Sequence, residues 1–179
     1  MVISNLNNGG QAERAQVAPN DSYAHPALTM TTYQFNDLDE GRLYEIGNEH
    51  GIQYLSPATV PTPPFPVTGF MTNLRSMVPL VVQRGDEPTN NGVNVWFLYH
   101  TGSPDTYITE KVMNALGITD ADESADGFYT IKLQGTTLRC RKSNNTFEEV
   151  NIFGTKAMME MKLSSVMNNK ANDTIEFNR

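Results

Sequence analysis

The segment Val93–Tyr99, VNVWFLY, restricts the fold more than any other stretch of the chain. Only Asn94 in it is polar, and it is rich in valine and aromatic residues. Such a run is short for a helix, and its side chains suit extended backbone. A strand with no polar alternation has no face to give to water, so it must be covered on both sides. Met77–Gln83 (MVPLVVQ) is a second apolar run of the same kind. Phe128–Leu133 and Thr137–Arg141 alternate around Gly135 and predict a hairpin. Val150–Phe153 is a further short strand, and Thr174–Phe177 a last one. Two helices are expected. Thr109 suits the N-cap of a helix running through Leu116 and stopped by Gly117. Lys156–Met167 (KAMMEMKLSSVM) has apolar residues at helical spacing. A strand-rich core with a late helix predicts a mainly β protein, a small closed β-barrel with a C-terminal helix.

The chain ahead of this core reads differently. Residues 1–30 are rich in Asn, Gly, Ala and Pro with little apolar periodicity, which predicts a mobile tail. Residues 31–55 carry apolar and aromatic positions from Tyr33 to Leu55, and Gly41, Gly47 and Gly51 break any long helix. Residues 56–69, SPATVPTPPFPVTG, hold five prolines and read as extended linker or polyproline II. Residues 31–69 are therefore expected to be an irregular N-terminal region with a Pro-rich linker, and residues 70–179 the folded domain. The prolines at 57–66 would also suit a proline-reading partner, against the plainer reading of a stiff spacer.

With a net charge of −7, the chain is not built to seek phosphate backbones or anionic membranes, so neither nucleic acid nor membrane is an expected partner. The single cysteine, Cys140, permits no intrachain disulfide and fits a reducing compartment. The N-terminus MVISNLNNGGQAERAQ lacks the basic start and apolar stretch of a signal peptide, and no window reaches the ~18 apolar residues of a membrane span. The expected location is cytoplasmic or otherwise intracellular. The sequons at Asn20, Asn144 and Asn172 matter only in a secreted chain.

Two segments carry a resemblance. Trp96–Thr106, WFLYHTGSPDT, is an apolar strand running into a Thr-Gly-Ser turn; Val150–Gly154, VNIFG, lies about 50 residues on, just before a helix. Together, with a hairpin between them, they resemble the retropepsins, the single-lobe aspartic proteases of retroviruses, retrotransposons and some cellular proteins. The resemblance covers roughly residues 76–179. It implies the barrel of that family and a homodimer in which each chain supplies one catalytic Asp, with a peptide or polyprotein segment in the shared cleft. Two carboxylates then share one proton, one activating water and the other polarising the scissile carbonyl. Thr101 and Gly102 match the family's supporting Thr and Gly, and Ser103 its small residue. Asp105 and Thr106 fit the run that follows, and Ser103 and Asp105 are the expected substrate-binding positions. Asn151, Ile152, Phe153 and Gly154 match the second motif. No cofactor and no metal are implied.

The departure is at the centre. The position of the Asp is His100. Paired imidazoles cannot share a proton as carboxylates do, so peptide hydrolysis is not expected. Retroviral members also pair an acid two residues after the first Gly with an Arg after the second-motif Gly; here those positions hold Pro104 and Thr155. The leading expectation is a retropepsin-like domain without peptidase activity, retained for binding or assembly. One alternative is an active aspartic endopeptidase in which the Asp was exchanged for His. Another is a structural module of a viral or mobile-element polyprotein. The plainest is an unrelated β-fold in which His100 merely ends a strand. A two-His metal site would lack further ligands, since His25 and His50 lie in the N-terminal part.

Three other features have plain readings. Cys140 between Arg139 and Arg141 would be activated if the arginines faced it, and inert if it faced the core. Asp120, Asp122, Glu123 and Asp126 form a solvated acidic loop without the spacing of a calcium loop. Met158, Met159, Met161 and Met167 are expected in core and helix packing. Thr174–Phe177 is expected to add strands to the dimer interface, as termini do in the family.

Overall fold

The strand over the VNVWFLY run is the centre of the structure, a computed structural model that describes residues 37–85, 91–144, 147–168 and 173–179. The expected tail, with Asn20 and His25, lies outside the described residues, as does Asn172. The strands are β1 (Pro57–Ala58), β2 (Val67–Thr72), β3 (Arg75–Arg84), β4 (Gly92–Tyr99), β5 (Thr106–Ile108), β6 (Tyr129–Leu133), β7 (Thr136–Lys142), β8 (Ile152–Phe153), β9 (Ser164–Asn168) and β10 (Thr174–Asn178). The helices are α1 (Glu40–His50), α2 (Glu110–Ala115) and α3 (Thr155–Glu160).

In β4, Val95, Trp96 and Phe97 are fully buried and Leu98 nearly so, as a strand covered on both faces requires. It pairs antiparallel with β3 from Met77↔Leu98 to Gln83↔Gly92, and parallel with β8 at Leu98↔Ile152 and Tyr99↔Phe153. The order β4-β8-β5-β7-β6-β3 closes through the β3–β4 pairing into a six-stranded barrel. Closure leaves the ring without free edges. The fold is mainly β, as expected. The β6–β7 hairpin turns at Gln134 and Gly135, both at positive φ, and α2 has the expected Thr109 cap, whose hydroxyl accepts from the Val112 amide.

Outside the ring, β3 continues into β2, then β10, then β9. β10 is paired on both sides, with β2 and with β9. Its backbone is therefore already used, so the expected role of Thr174–Phe177 as an added interface strand does not hold. The edge exposed in this layer is β9.

Three local expectations change. Residues 40–50, expected to be irregular, form α1. Asp39 caps it by accepting from the Arg42 amide, and Gly51 ends it at φ +70. Gly47 sits inside the helix because Ile52 O and Tyr54 N lie 2.8 and 2.9 Å from where its Cβ would stand. Leu43, Ile46 and Tyr54 belong to the same core cluster as the barrel. The Trp96 indole donates to Ile52 O, the Leu55 amide to Asn94 O and the Asn94 amide to Ser56 O. The folded unit thus begins well before residue 70. The late helix is also short. Met161 caps α3, Lys162 turns at φ +57, and Ser164–Asn168 pair with β10 as β9. Strand pairing outweighs the weak helix preference of Ser-Ser-Val. Among the methionines, Met158 and Met161 are buried, while Met159 is 77% and Met167 52% exposed.

Cys140 faces the core, and burial pushes its thiol up to about 12. In the acidic loop, Asp122 accepts from Arg84 and the Thr119 amide, and Asp126 pairs with Arg139. No helix among the described residues is long and apolar enough to cross a membrane.

Candidate functional site at the His100 turn

The end of β4 carries His100 out of the barrel. His100, Thr101 and Gly102 are exposed, and the Ser103 amide donates to His100 O at 3.1 Å, closing a four-residue turn. The backbone of Gly102 is not left-handed. A Cβ there would meet Cε1 and Nε2 of the His100 ring at 3.2 and 3.3 Å.

The second motif is laced to this turn. The Leu98 amide donates to Asn151 O, and the His100 amide to Phe153 O. Beyond β8, the Thr155 amide and hydroxyl both donate to Ser103 O, and the Lys156 amide donates to Pro104 O. Gly154 lies so close to the Asp105 carbonyl that a Cβ would stand 2.6 Å from its carbon and 3.0 Å from Ser103 O. The Gly154 amide donates to the Thr106 hydroxyl. Pairing of β4 with β8 therefore brings His100, Thr101, Gly102, Ser103 and the Asn151–Gly154 segment to one end of the barrel.

Asn151 is fully buried and acts as a polar hub. Its Oδ1 accepts from the Thr109 amide at 2.8 Å, and its Nδ2 donates to Tyr54 Oη and Trp96 O. It links α2, the α1 region and β4 directly beneath the turn. Ile152 and Phe153 are core residues; Phe153 packs against Phe97, Tyr99 and Phe177.

Asp105, expected at a substrate-binding position, has its carboxylate between Arg141 Nε at 3.1 Å and Lys156 Nζ at 2.7 Å, with the side chain 13% exposed. Burial pushes the carboxyl upward, and the hydrogen bonds and charges of Lys156 and Arg141 outweigh it, so the pKa lies below the ordinary value. Pro104 and Thr155 are uncharged, and the residues that follow them, Asp105 and Lys156, pair with each other. Sequence reading missed Arg141 and Lys156. The signal available was the pair of charges immediately after the two empty positions.

The concavity beside this turn is small, about 270 Å³, and is bounded by Asp105, Phe128, Arg139 and Lys156. A larger one of about 590 Å³ lies away from His100, among Glu40, Thr109, Lys142 and Glu149. Neither of these two cavities is lined by His100, Thr101 or Gly102.

No family model matches the chain. No curated protein matches it either. Among solved structures, the chain is similar to a retropepsin-like aspartic protease from Rickettsia conorii, with 15% identity, coverage of 65% of this chain and 92% of that one, and a TM-score of 0.45.

Proposed function

We propose that the chain is a retropepsin-like domain that lacks peptidase chemistry and serves, as a homodimer, in binding a peptide or polyprotein segment or in assembly. The observation that carries this reading is the pairing of the two motifs around a turn whose acid position is an imidazole. The turn, the buried Asn151 and the close approach of Gly154 to Asp105 form the support such a site needs. The catalytic carboxylate is what is missing.

Asp105 is no substitute. Aspartic proteolysis needs a carboxyl that can hold a proton while its twin gives one up. The Asp105 carboxylate is kept ionised by two cations. Two His100 rings at a two-fold axis fare no better. Both protonated, they repel; both neutral, neither is an acid strong enough to polarise a carbonyl. The exposed Thr101 and Gly102 favour a second copy over this end, because half a cleft per chain is useful only when doubled. A buried lone cysteine fits an intracellular setting.

The intact support also favours a second reading, an active endopeptidase scaffold from which only the acid has been removed. A fluorogenic peptide-library assay from pH 3 to 8 separates the two. The chain and its His100→Ala variant are expected to show no turnover. Turnover lost in His100→Ala would overturn the proposal. Cleavage gained by His100→Asp and blocked by a statine-type inhibitor would establish the second reading.

A further inference from the structure

Residues 59–66 join β1 to β2 as a proline-rich strap. Both of its ends are pinned. Pro57 and Ala58 pair with Val93 and Gly92, and β2 pairs with β3 and β10. Between these anchors, Pro61, Pro63, Pro64 and Pro66 have no N–H to donate. Among the described residues, the strap makes no backbone–backbone hydrogen bond. It is held by Gln134, whose Nε2 donates to Pro63 O at 2.8 Å, and by Phe65, which packs partly buried against the core. A cavity of about 370 Å³ lies between strap and body. Pro63 and Pro66 wall it on one side, and Ile52, Phe70, Pro79 and Val81 on the other. Among the described residues, no charged side chain lines it.

Gln134 stands at φ +47 in the β6–β7 turn, a backbone region that glycine and asparagine enter at lower cost. Its side chain gives a reason for the residue. Oε1 accepts from the Val81 amide at 3.0 Å, and the Gln134 amide donates to Val81 O at 2.8 Å. These two bonds fix the hairpin tip to β3 and leave Nε2 to reach the strap. The tip lies against the strap at a second point, since a Cβ on Gly135 would stand 3.2 Å from Thr62 Oγ1.

We infer that residues 59–66 are a latched cover, with Gln134 as the latch. While Nε2 holds Pro63, the strap stays over the cavity. Its release lets the strap swing on its β1 and β2 anchors and opens Ile52, Phe70, Pro79 and Val81 to solvent. Little opposes this motion. No backbone bond breaks, the proline nitrogens need no new acceptor, and the separating walls carry no ion pair. Opening breaks one hydrogen bond and lifts Phe65, while the pairing of β1 and β2 stays whole. The floor it uncovers continues into the core, because Phe70 lies 6.0 Å from the buried Trp96 ring and stacks on His50 at 3.8 Å. None of the cavity's lining residues belongs to either motif at the His100 turn, so the device stands apart from that site.

Gln134→Glu isolates the latch in the full chain. Glutamate keeps an acceptor for the Val81 amide, but its carboxylate has no proton to donate to Pro63 O. Val81 lines the cavity and is 7% exposed, so a thiol placed there by Val81→Cys reads opening through its rate of labelling by a disulfide reagent. The fully buried Cys140 reports unfolding of the whole domain in the same sample. At neutral pH, adding Gln134→Glu to Val81→Cys should speed labelling roughly three- to tenfold, the worth of one hydrogen bond, while Cys140 stays unlabelled. Phe65→Ala should speed it too. Pro79→Cys, on the same wall, repeats the reading from a second position. A rate that Gln134→Glu leaves unchanged at both positions would overturn the latch. A rise matched by labelling of Cys140 would overturn it as well, because the domain and not the strap would then be opening.

Discussion

The backbone carbonyl of Asp105 occupies the space that a side chain on residue 154 would need. A Cβ on Gly154 would lie 2.6 Å from the Asp105 carbonyl carbon. The glycine is thus a packing requirement between the two halves of the site, and its own φ of −91° is one any residue adopts.

Gly154→Ala is therefore expected to destabilise the domain by about 3 kcal/mol, at the upper end of ordinary overpacking, because the opposing atoms are backbone and cannot swing away. Urea denaturation measures it. A midpoint within error of the parent would mean that the turn and α3 separate easily.

Asn151→Ala should cost about 2–4 kcal/mol. It leaves the buried Thr109 amide without its acceptor, the Trp96 carbonyl without the Asn151 donor, and a void beneath the turn. Hydrogen exchange at the Thr109 amide should accelerate more than at amides of the distant β6–β7 hairpin. Uniform acceleration would argue against a local hub.

Asp105 should shape the acid limb of stability. Its folded pKa is lowered below the unfolded value near 3.8, so its contribution is present above that pH and is lost as pH falls through the lower folded value. Asp105→Asn removes this contribution. The variant should be less stable than the parent at pH 6, and the difference should shrink below pH 4. Thermal melts at both pH values measure the gap; one that widens on acidification would contradict the assignment.

Cys140 should be inert in the folded protein. Its thiol, fully buried and pushed up to about 12, offers almost no thiolate at pH 8. A disulfide reagent should label it only after denaturant is added. Rapid labelling of the native chain would place the side chain outside the core.

Much of the barrel was legible in the sequence because its strands are specified by local pattern. Val93–Tyr99 has no polar face, and that alone requires cover on both sides. Thr109 and Gly117 bracket α2 by capping and backbone preference. Gly135 marks the hairpin. The two motifs at His100 and Asn151–Gly154 were legible for the same reason, as strand ends running into a turn and a helix.

Contacts between distant segments were not legible. α1 forms although two glycines interrupt it, because Leu43 and Ile46 bury against a barrel whose position no local pattern states. Lys156–Met167 has helical spacing to its end, yet it turns at Lys162 because β10 offers a strand to pair with. The Asp105–Lys156 pair joins residues 51 apart in the chain and forms only once β4 and β8 lie side by side. The sequence by itself determined that Val93–Tyr99 extends under cover on both faces, that Gly135 turns a hairpin and that His100 ends the buried strand. Tertiary structure alone decided that the Asp105 carboxylate is held between Arg141 and Lys156, that β10 is occupied on both sides and that β9 is left exposed. Strand preference and burial pattern act over a few neighbouring residues; ion pairs, strand partners and edges depend on which segments meet across the fold.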